Sequence, residues 1–132
     1  MATITDSILD SVKKRIGPSA EYDYYDPDII MDINSTFMIL NQMGIGPEKP
    51  FSISDRMDTW DDFMPEGEIP ELVKTYIYMK VKLMFDPPLS SSVATAMNEQ
   101  IKEMEWRLNV AVDPGKTEEE PAVEENQNET ED

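Results

Sequence analysis

The chain has 132 residues, and its 28 acidic and 11 basic side chains give a formal net charge of −17. It has no cysteine and no histidine, which excludes disulfides, thiolate nucleophiles and the usual zinc ligands, and removes the commonest general base near neutral pH. An acidic chain also lacks the basic face by which nucleic-acid-binding proteins neutralise phosphates.

Two further features of the sequence bear on the compartment. No apolar run approaches the roughly 18–20 residues that a membrane-spanning helix needs, so we expect no membrane association. The N-terminal residues lack the basic-then-apolar pattern of a signal peptide, so we expect the protein to stay in the cytosol where it is made.

The distribution of charge predicts one folded domain followed by a tail. Residues 113–132 hold nine acids and one lysine, with few apolar side chains. Such a segment cannot bury enough apolar surface to offset the entropy of ordering, so we expect an acidic, disordered tail over 113–132. Residues 1–112 carry 19 acids and 10 bases and have the apolar periodicity of a helical domain.

A first amphipathic helix is predicted over residues 5–16. Thr3 or Thr5 can cap its start, and Gly17 followed by Pro18 can end it. The basic triplet 13–15 suits the C-terminal end of a helix on a solvated face, and a contact with an acidic neighbouring subunit is the alternative. Its apolar stripe consists of Ile4, Ile8, Leu9, Val12 and Ile16.

A second helix is predicted from Asp26, as N-cap, and Pro27 to Gly44. Asp28 and Asp32 lie one turn apart on it and could be an acid/base or metal-binding pair. Because acids are electrostatically favoured near a helix N-terminus, the sequence favours a role in helix stability. The expected buried face consists of Ile29, Ile30, Ile33, Phe37 and Leu40, with Ile39 or Met43.

Residues 46–67 are the least regular part of the chain. Residues 51–54 alternate and predict a short strand, paired in a possible hairpin with residues 56–57. Residues 58–64 predict one helical turn that places Trp60, with Phe63 or Met64, on the core. The acids between 55 and 62 lack the spacing and the central glycine of a calcium loop, so we expect no bound metal or cofactor.

The helix over residues 68–85 is expected to be the centre of the fold. Its apolar side chains cover more than half of its circumference, so a single neighbour cannot bury them. Asp86 and the two prolines that follow end this helix. We expect Leu72, Ile77 and Val81 to be almost wholly buried.

A last helix is predicted over residues 91–110. Trp106 lies off its main stripe, where it either covers the rim of the core or meets another chain. The ten methionines of the chain are expected mostly to fill the core, with a surface that repacks against partners as the alternative. The main stripe consists of Val93, Met97, Ile101, Met104 and Leu108.

The predicted fold is therefore all-α: a small four-helix domain with one long loop, which can hold a short β-hairpin, between the second and third helices. Several strings in this succession also resemble the small head–tail connector proteins of long-tailed bacteriophages and prophages, and the likeness covers about residues 6–112. The strings are Asp28-Ile-Ile-Met-Asp-Ile-Asn34, Gly44-Ile-Gly-Pro47, Phe51-Ser-Ile53, Thr59-Trp-Asp-Asp-Phe63, Tyr78-Met-Lys-Val-Lys-Leu83, Phe85-Asp-Pro-Pro-Leu89 and Glu105-Trp-Arg-Leu-Asn109.

The resemblance implies a virion structural protein with no enzymatic activity, assembled in the host cytoplasm. It implies a ring of about twelve copies that docks on the phage portal protein at the head–tail interface. Such a ring extends the channel through which double-stranded DNA passes without sequence-specific binding. It also presents a surface to the next partner, a stopper or tail-completion protein.

The candidate site residues follow from the aromatic side chains of the long loop and from the end of the last helix. The candidate subunit interface consists of Phe51, Ile53, Trp60, Phe63 and Trp106. The end of the chain commonly grips the portal in proteins of the family that this chain resembles. The candidate portal contact therefore consists of Arg107, Leu108, Val110 and Val112.

Two other classes of function remain open at this point. A small acidic regulator or DNA mimic would bind a basic partner through its negative surface, and would be a stable monomer or dimer. An enzyme that uses carboxylates alone would need two acids facing each other across a pocket, which no spacing in the sequence places.

Overall fold

The computed structural model describes residues 6–64 and 70–112, and the fold there is mostly helical, as predicted. Five helices follow one another along the chain. They are α1 (Ile8–Ile16), α2 (Asp26–Gln42), α3 (Trp60–Phe63), α4 (Glu71–Phe85) and α5 (Ser91–Val112). Helix α4 packs against α1, α2 and α5, so it is the central helix that the sequence predicted.

Helix α1 begins later than predicted. Ser7 is the N-cap, and its side chain accepts a hydrogen bond from the backbone N–H of Asp10. The predicted start is too early, because Asp6 and Ser7 are not helical and a buried serine that accepts a hydrogen bond from the first turn caps the helix. The candidate caps Thr3 and Thr5, and Ile4 of the predicted stripe, lie outside the described residues. The end at Gly17 is as expected, because the backbone there has a positive φ of 133°.

Helix α2 begins at Asp26, one residue earlier than predicted, so the N-cap is Tyr25. Its buried side chains are Ile29, Ile33, Thr36, Phe37 and Leu40, while Ile30, Ile39 and Met43 are only partly buried. The helix runs to Gln42, and Gly44 follows with a positive φ of 88°.

The hairpin predicted for the long loop is wrong: among the described residues no strand is present, and Ser7 and Thr59 form a single isolated bridge. The backbone of Ile53 pairs with a side chain instead. Asn34 of α2 accepts a hydrogen bond from the Ile53 N–H at 2.8 Å and donates one to its carbonyl oxygen at 3.0 Å. A side-chain amide thus takes the place of a neighbouring strand.

The helical turn predicted within this loop is present as α3. Thr59 and Asp62 form a reciprocal capping box at its start. Trp60 and Phe63 are both buried in the core, as expected. The loop also approaches Phe63 closely, since a Cβ added to Gly46 would lie 2.6 Å from that ring.

Helix α4 is buried most deeply along one row of side chains. Tyr76, Ile77 and Val81 have no exposed surface, and Val73 has almost none. Leu72 is only partly buried, so the prediction that it is almost wholly buried is wrong. It lies on the same turn as Val73 but points about 100° away around the helix axis.

Helix α5 is longer than α4, and its register on α4 is fixed by Tyr76. The Tyr76 hydroxyl donates a 2.8 Å hydrogen bond to Glu105, and Lys80 pairs with the same carboxylate at 3.6 Å. At about 1.5 Å per residue, the 22-residue α5 exceeds the 15-residue α4 by roughly 10 Å. Because the C-terminal part of α5 packs on α4, this excess lies at the N-terminal end of α5.

Candidate assembly surfaces

Most of the exposed large apolar side chains lie in three places, and Met57, Met84 and Val112 are exposed outside them. Two of these places, on α2 and at the start of α5, are almost free of charge, and the third is a group of tyrosines between α1 and α2. In a chain in which 30% of residues are charged, uncharged apolar surface marks where another molecule can bind with the smallest desolvation cost.

The first place is an open groove of about 730 Å³ on α2, called here the α2 groove. Met31 and Met38, seven residues apart, are exposed by 66% and 44%. They lie on the side of α2 opposite Ile29, Ile33 and Phe37, so the α2 groove faces away from the core. Its described lining consists of Pro27, Ile30, Met31, Asn34, Ser35, Met38 and Ile39, none of which is charged.

The second place is the start of α5 with the residue that precedes it, residues 89–98, called here the α5 ridge. The excess length of α5 carries the first part of this ridge beyond the end of α4. Leu89 is fully exposed, Val93 is 49% exposed, and Met97 is only partly covered. The predicted stripe is therefore buried only in its second half, at Ile101, Met104 and Leu108.

The third place is the connection between α1 and α2, where Tyr22, Tyr24 and Tyr25 pack against one another with ring centroids 5.0–6.4 Å apart. Tyr25 also makes an edge contact with Phe85 at the end of α4. Packing among these rings orders the connection between α1 and α2, although the side chain of Tyr24 is still 72% exposed.

Lys13 holds this connection in place. Its side chain is 1% exposed, and its ammonium donates hydrogen bonds to the carbonyl oxygens of Ala20 and Tyr22 at 3.2 and 2.8 Å. It also pairs with Asp26 at 2.7 Å. The expectation that the triplet 13–15 lies on a solvated face is therefore wrong for Lys13, because the chain after α1 folds back over it.

The other basic groups of this triplet behave differently from Lys13. Lys14 is exposed, while the Arg15 guanidinium lies over the ring of Tyr78 at 4.7 Å from its centroid. Desolvation by burial raises the pKa of Tyr78, and the nearby Arg15 partly offsets this.

Most residues of the candidate subunit interface lie inside the chain's own fold. Ile53, Trp60 and Phe63 are each 3% exposed. Phe51 and Trp106 are partly buried; the Phe51 ring packs on Phe37 and Phe63. The aromatic side chains of the long loop thus complete the core, which explains why the loop is ordered, and their contact with a neighbouring subunit stays a prediction.

The candidate portal contact is divided between surface and core. Leu108 is buried, and Val110 is partly buried. Arg107 is exposed and pairs with Glu103 one turn earlier at 2.8 Å. Val112 is 44% exposed and lies near Gly44, at the end of the fold opposite to the α5 ridge. Arg107 and Val112 are therefore the two members of this set that a partner can reach most easily.

Among the residues that the structure describes, the acids do not form a metal-binding cluster, since no group of three or more of them could hold a metal ion. Partial burial, and then the charge of Asp28, raises the pKa of Asp32.

No helix in the described ranges is long and apolar enough to cross a membrane.

The sequence contains a signal for the α2 groove and the α5 ridge that periodicity did not reveal. The two longest stretches without a charged residue are 33–47 and 87–98. The first includes half of the α2 groove, and the second includes the whole α5 ridge. Apolar periodicity could not separate buried from exposed positions in these stretches. The lack of charged residues there does indicate both surfaces.

The family model described as "Phage connector protein" matches residues 8–115 of the chain, which is most of its length. This match spans all five helices and both uncharged surfaces. No curated protein and no solved structure matches the chain significantly.

Proposed function

Because the chain belongs to the phage connector protein family and serves as a head–tail connector, we propose that it is a ring-forming adaptor of the virion that docks on the portal protein. The ring, of about twelve copies, extends the DNA channel and presents a surface to a stopper or tail-completion protein. The family match over residues 8–115 is the observation that carries this proposal. The role is structural and not enzymatic, and the chain folds in the host cytoplasm before it joins the virion.

The charge of the protein supports a position around passing DNA. A net charge of −17 per copy, multiplied around a ring, would give the channel a negative potential. DNA would then move through the lumen without adhering, because an acidic wall repels its phosphates and does not displace its counterions.

The C-terminal end of α5 is the proposed portal contact. Arg107 and Val112 supply an exposed cation and an exposed apolar group there, and Leu108 holds that end of the helix to the core. Charge reversal at Arg107 together with Val112→Glu would leave the core intact, and we expect it to abolish docking. The matched control is Lys14→Glu, an exposed cation on α1.

Native mass spectrometry of the purified chain, alone and with the portal protein of the same phage, tests the proposal. The expected result is a closed ring of about twelve copies, formed alone or on the portal. A stable monomer that ignores the portal and binds a basic protein in a salt-sensitive manner would support the acidic regulator instead.

A further inference from the structure

The α2 groove and the α5 ridge have no part in the proposed portal contact. We infer that the α5 ridge of one copy docks into the α2 groove of the next copy, and that this head-to-tail contact builds the ring. The inference rests on the proposed function, since it names the surfaces by which the adaptor assembles with itself.

Charge is the first reason to assign both surfaces to a contact between copies. Two chains that each carry −17 repel one another wherever their acidic surfaces meet. The α2 groove is lined by uncharged residues, and the α5 ridge lies within a stretch of twelve residues, 87–98, that carries no charge. A contact confined to these surfaces brings the copies together where repulsion is weakest.

The dimensions of the two surfaces also match. The α2 groove runs along α2 from Pro27 to Ile39, and the α5 ridge runs from Leu89 to Asn98. At about 1.5 Å per helical residue the α2 groove spans roughly 18 Å and the helical part of the α5 ridge roughly 11 Å, to which the two residues before the helix add up to about 7 Å. Val93 and Met97 are four residues apart on α5, which is the spacing of anchor residues on a helix that lies in a groove, and Leu89 precedes them in the bend before the helix.

The methionines suit such a contact. Met31 and Met38 in the α2 groove and Met97 on the α5 ridge have unbranched, polarizable side chains that can adapt to a partner's surface. Met31 and Met38 are exposed and Met97 is partly exposed in a single chain, whereas in an assembly all three would be covered.

A chain cannot easily fill its own α2 groove. The groove faces away from the core, while α4 packs against both α2 and α5. The hydrogen bond from Tyr76 to Glu105 fixes α5 on α4, so the α5 ridge projects past the end of α4. A second copy is therefore the occupant that the geometry favours.

Because the two surfaces differ, a pair of copies joined by one contact still has one unoccupied α2 groove on one copy and one unoccupied α5 ridge on the other. Such a heterologous contact continues from copy to copy and closes into a ring when the rotation per copy permits. A contact between two identical surfaces would stop at a dimer, which could not serve as a connector ring.

The absence of cysteine from the sequence permits a direct test by cross-linking in the full chain. Met38→Cys and Met97→Cys, combined in one chain and treated with a short bismaleimide, should give a ladder of covalent oligomers beyond the dimer. Each single variant alone should give no ladder, and an equimolar mixture of the two should give a covalent dimer only. Met57→Cys combined with Met97→Cys is the control, because Met57 is 64% exposed but lies outside both surfaces.

Three outcomes of this experiment would overturn the inference. Efficient dimers of a single variant would show that identical surfaces meet. A linked monomer would show that the α5 ridge reaches its own α2 groove. A ladder no stronger than that of the control, under conditions in which native mass spectrometry shows rings, would place the contact elsewhere.

Charge substitutions separate failure of this inference from failure of the proposed function. Met31→Glu or Val93→Glu should keep the melting temperature and abolish rings, whereas Met57→Glu should leave rings intact. Rings that survive both substitutions would overturn the inference and leave the proposed function standing. An unmodified chain that forms no ring, alone or on the portal, would overturn both.

Discussion

Lys13 is a buried cation whose partners all come from the segment that follows α1. Its ammonium contacts two carbonyl oxygens and Asp26, so the connection between α1 and α2 is anchored at one atom. Removing one member of a buried ion pair leaves the others without their partner. Lys13, which was predicted from the sequence to lie on a solvated face, therefore positions the three tyrosines and the start of α2.

We expect Lys13→Met to lower the free energy of unfolding by about 3 kcal/mol, since methionine keeps the apolar stem and loses all three polar contacts. Lys14→Met is the matched control, because Lys14 is exposed and its loss should cost less than about 0.5 kcal/mol. Urea denaturation of both variants measures the difference. Equal stabilities would mean that the contacts of Lys13 contribute nothing net.

Asp32 should lower the stability of the fold as pH rises, whereas a carboxylate in an ion pair ordinarily raises it. Burial and Asp28 raise its pKa in the folded state, so the folded chain binds the proton more tightly than the unfolded chain. Its ionisation therefore weakens folding as pH rises from the unfolded value, near 3.8, through the raised folded pKa. At neutral pH this penalty is fully present.

We therefore expect Asp32→Asn to raise the melting temperature slightly at pH 7, and the gain to shrink as pH falls below the unfolded pKa. Asp23→Asn, at an exposed position, makes the same change in net charge and serves as control. Thermal melts from pH 3 to 7 provide the measurement. A gain equal to that of the control would show that only net charge matters.

At the scale of elements, α4 decides the stability of the fold because it contacts three other helices. Ile77→Ala should cost about 2–5 kcal/mol, since this side chain has no exposed surface and its loss leaves a cavity. Leu72→Ala should cost less than about 2 kcal/mol, because solvent already reaches part of that side chain. Chemical denaturation that ranks these costs in reverse would contradict the packing described for α4.

Helix α5 divides into a packed half and a projecting half. Backbone amides of the α5 ridge should exchange with solvent faster than those around Ile101 and Leu108 in the monomer, because few tertiary contacts stabilise that end. On assembly, exchange in the α5 ridge should slow. Hydrogen exchange followed by mass spectrometry checks both statements, and uniform protection along α5 in the monomer would contradict the first.

At the scale of the whole molecule, self-repulsion opposes any assembly of this chain. Truncation after Gly115 removes eight acids and Lys116, which changes the formal charge from −17 to −10. We expect the truncated chain to keep its melting temperature and its docking on the portal, and to form rings at lower salt than the full chain. Native mass spectrometry across a salt series measures this. Loss of docking would show that the acidic segment 116–132, which lies outside the described residues, is itself the binding element.

Local physical rules were enough to predict the helical class and the centre of the fold, and the family resemblance rested on short strings of the sequence. Proline and glycine mark where helices begin and end, and the apolar rows of α4 cover too much of its circumference for one neighbour. Trp60 and Phe63 were also assigned correctly to the core, since aromatic side chains in an acidic loop need apolar contacts.

The tertiary structure alone decided how far each apolar stripe is covered. Val93 and Leu108 occupy equivalent positions on one stripe of α5, yet the first is half exposed and the second is buried, because the shorter α4 ends between them. Lys13 and Lys14 are neighbours of the same type, yet only Lys13 is enclosed by the chain that returns after α1. Periodicity in the sequence indicates which side of a helix is apolar. The length and path of the neighbouring elements determine which part of that side stays exposed and can bind another molecule.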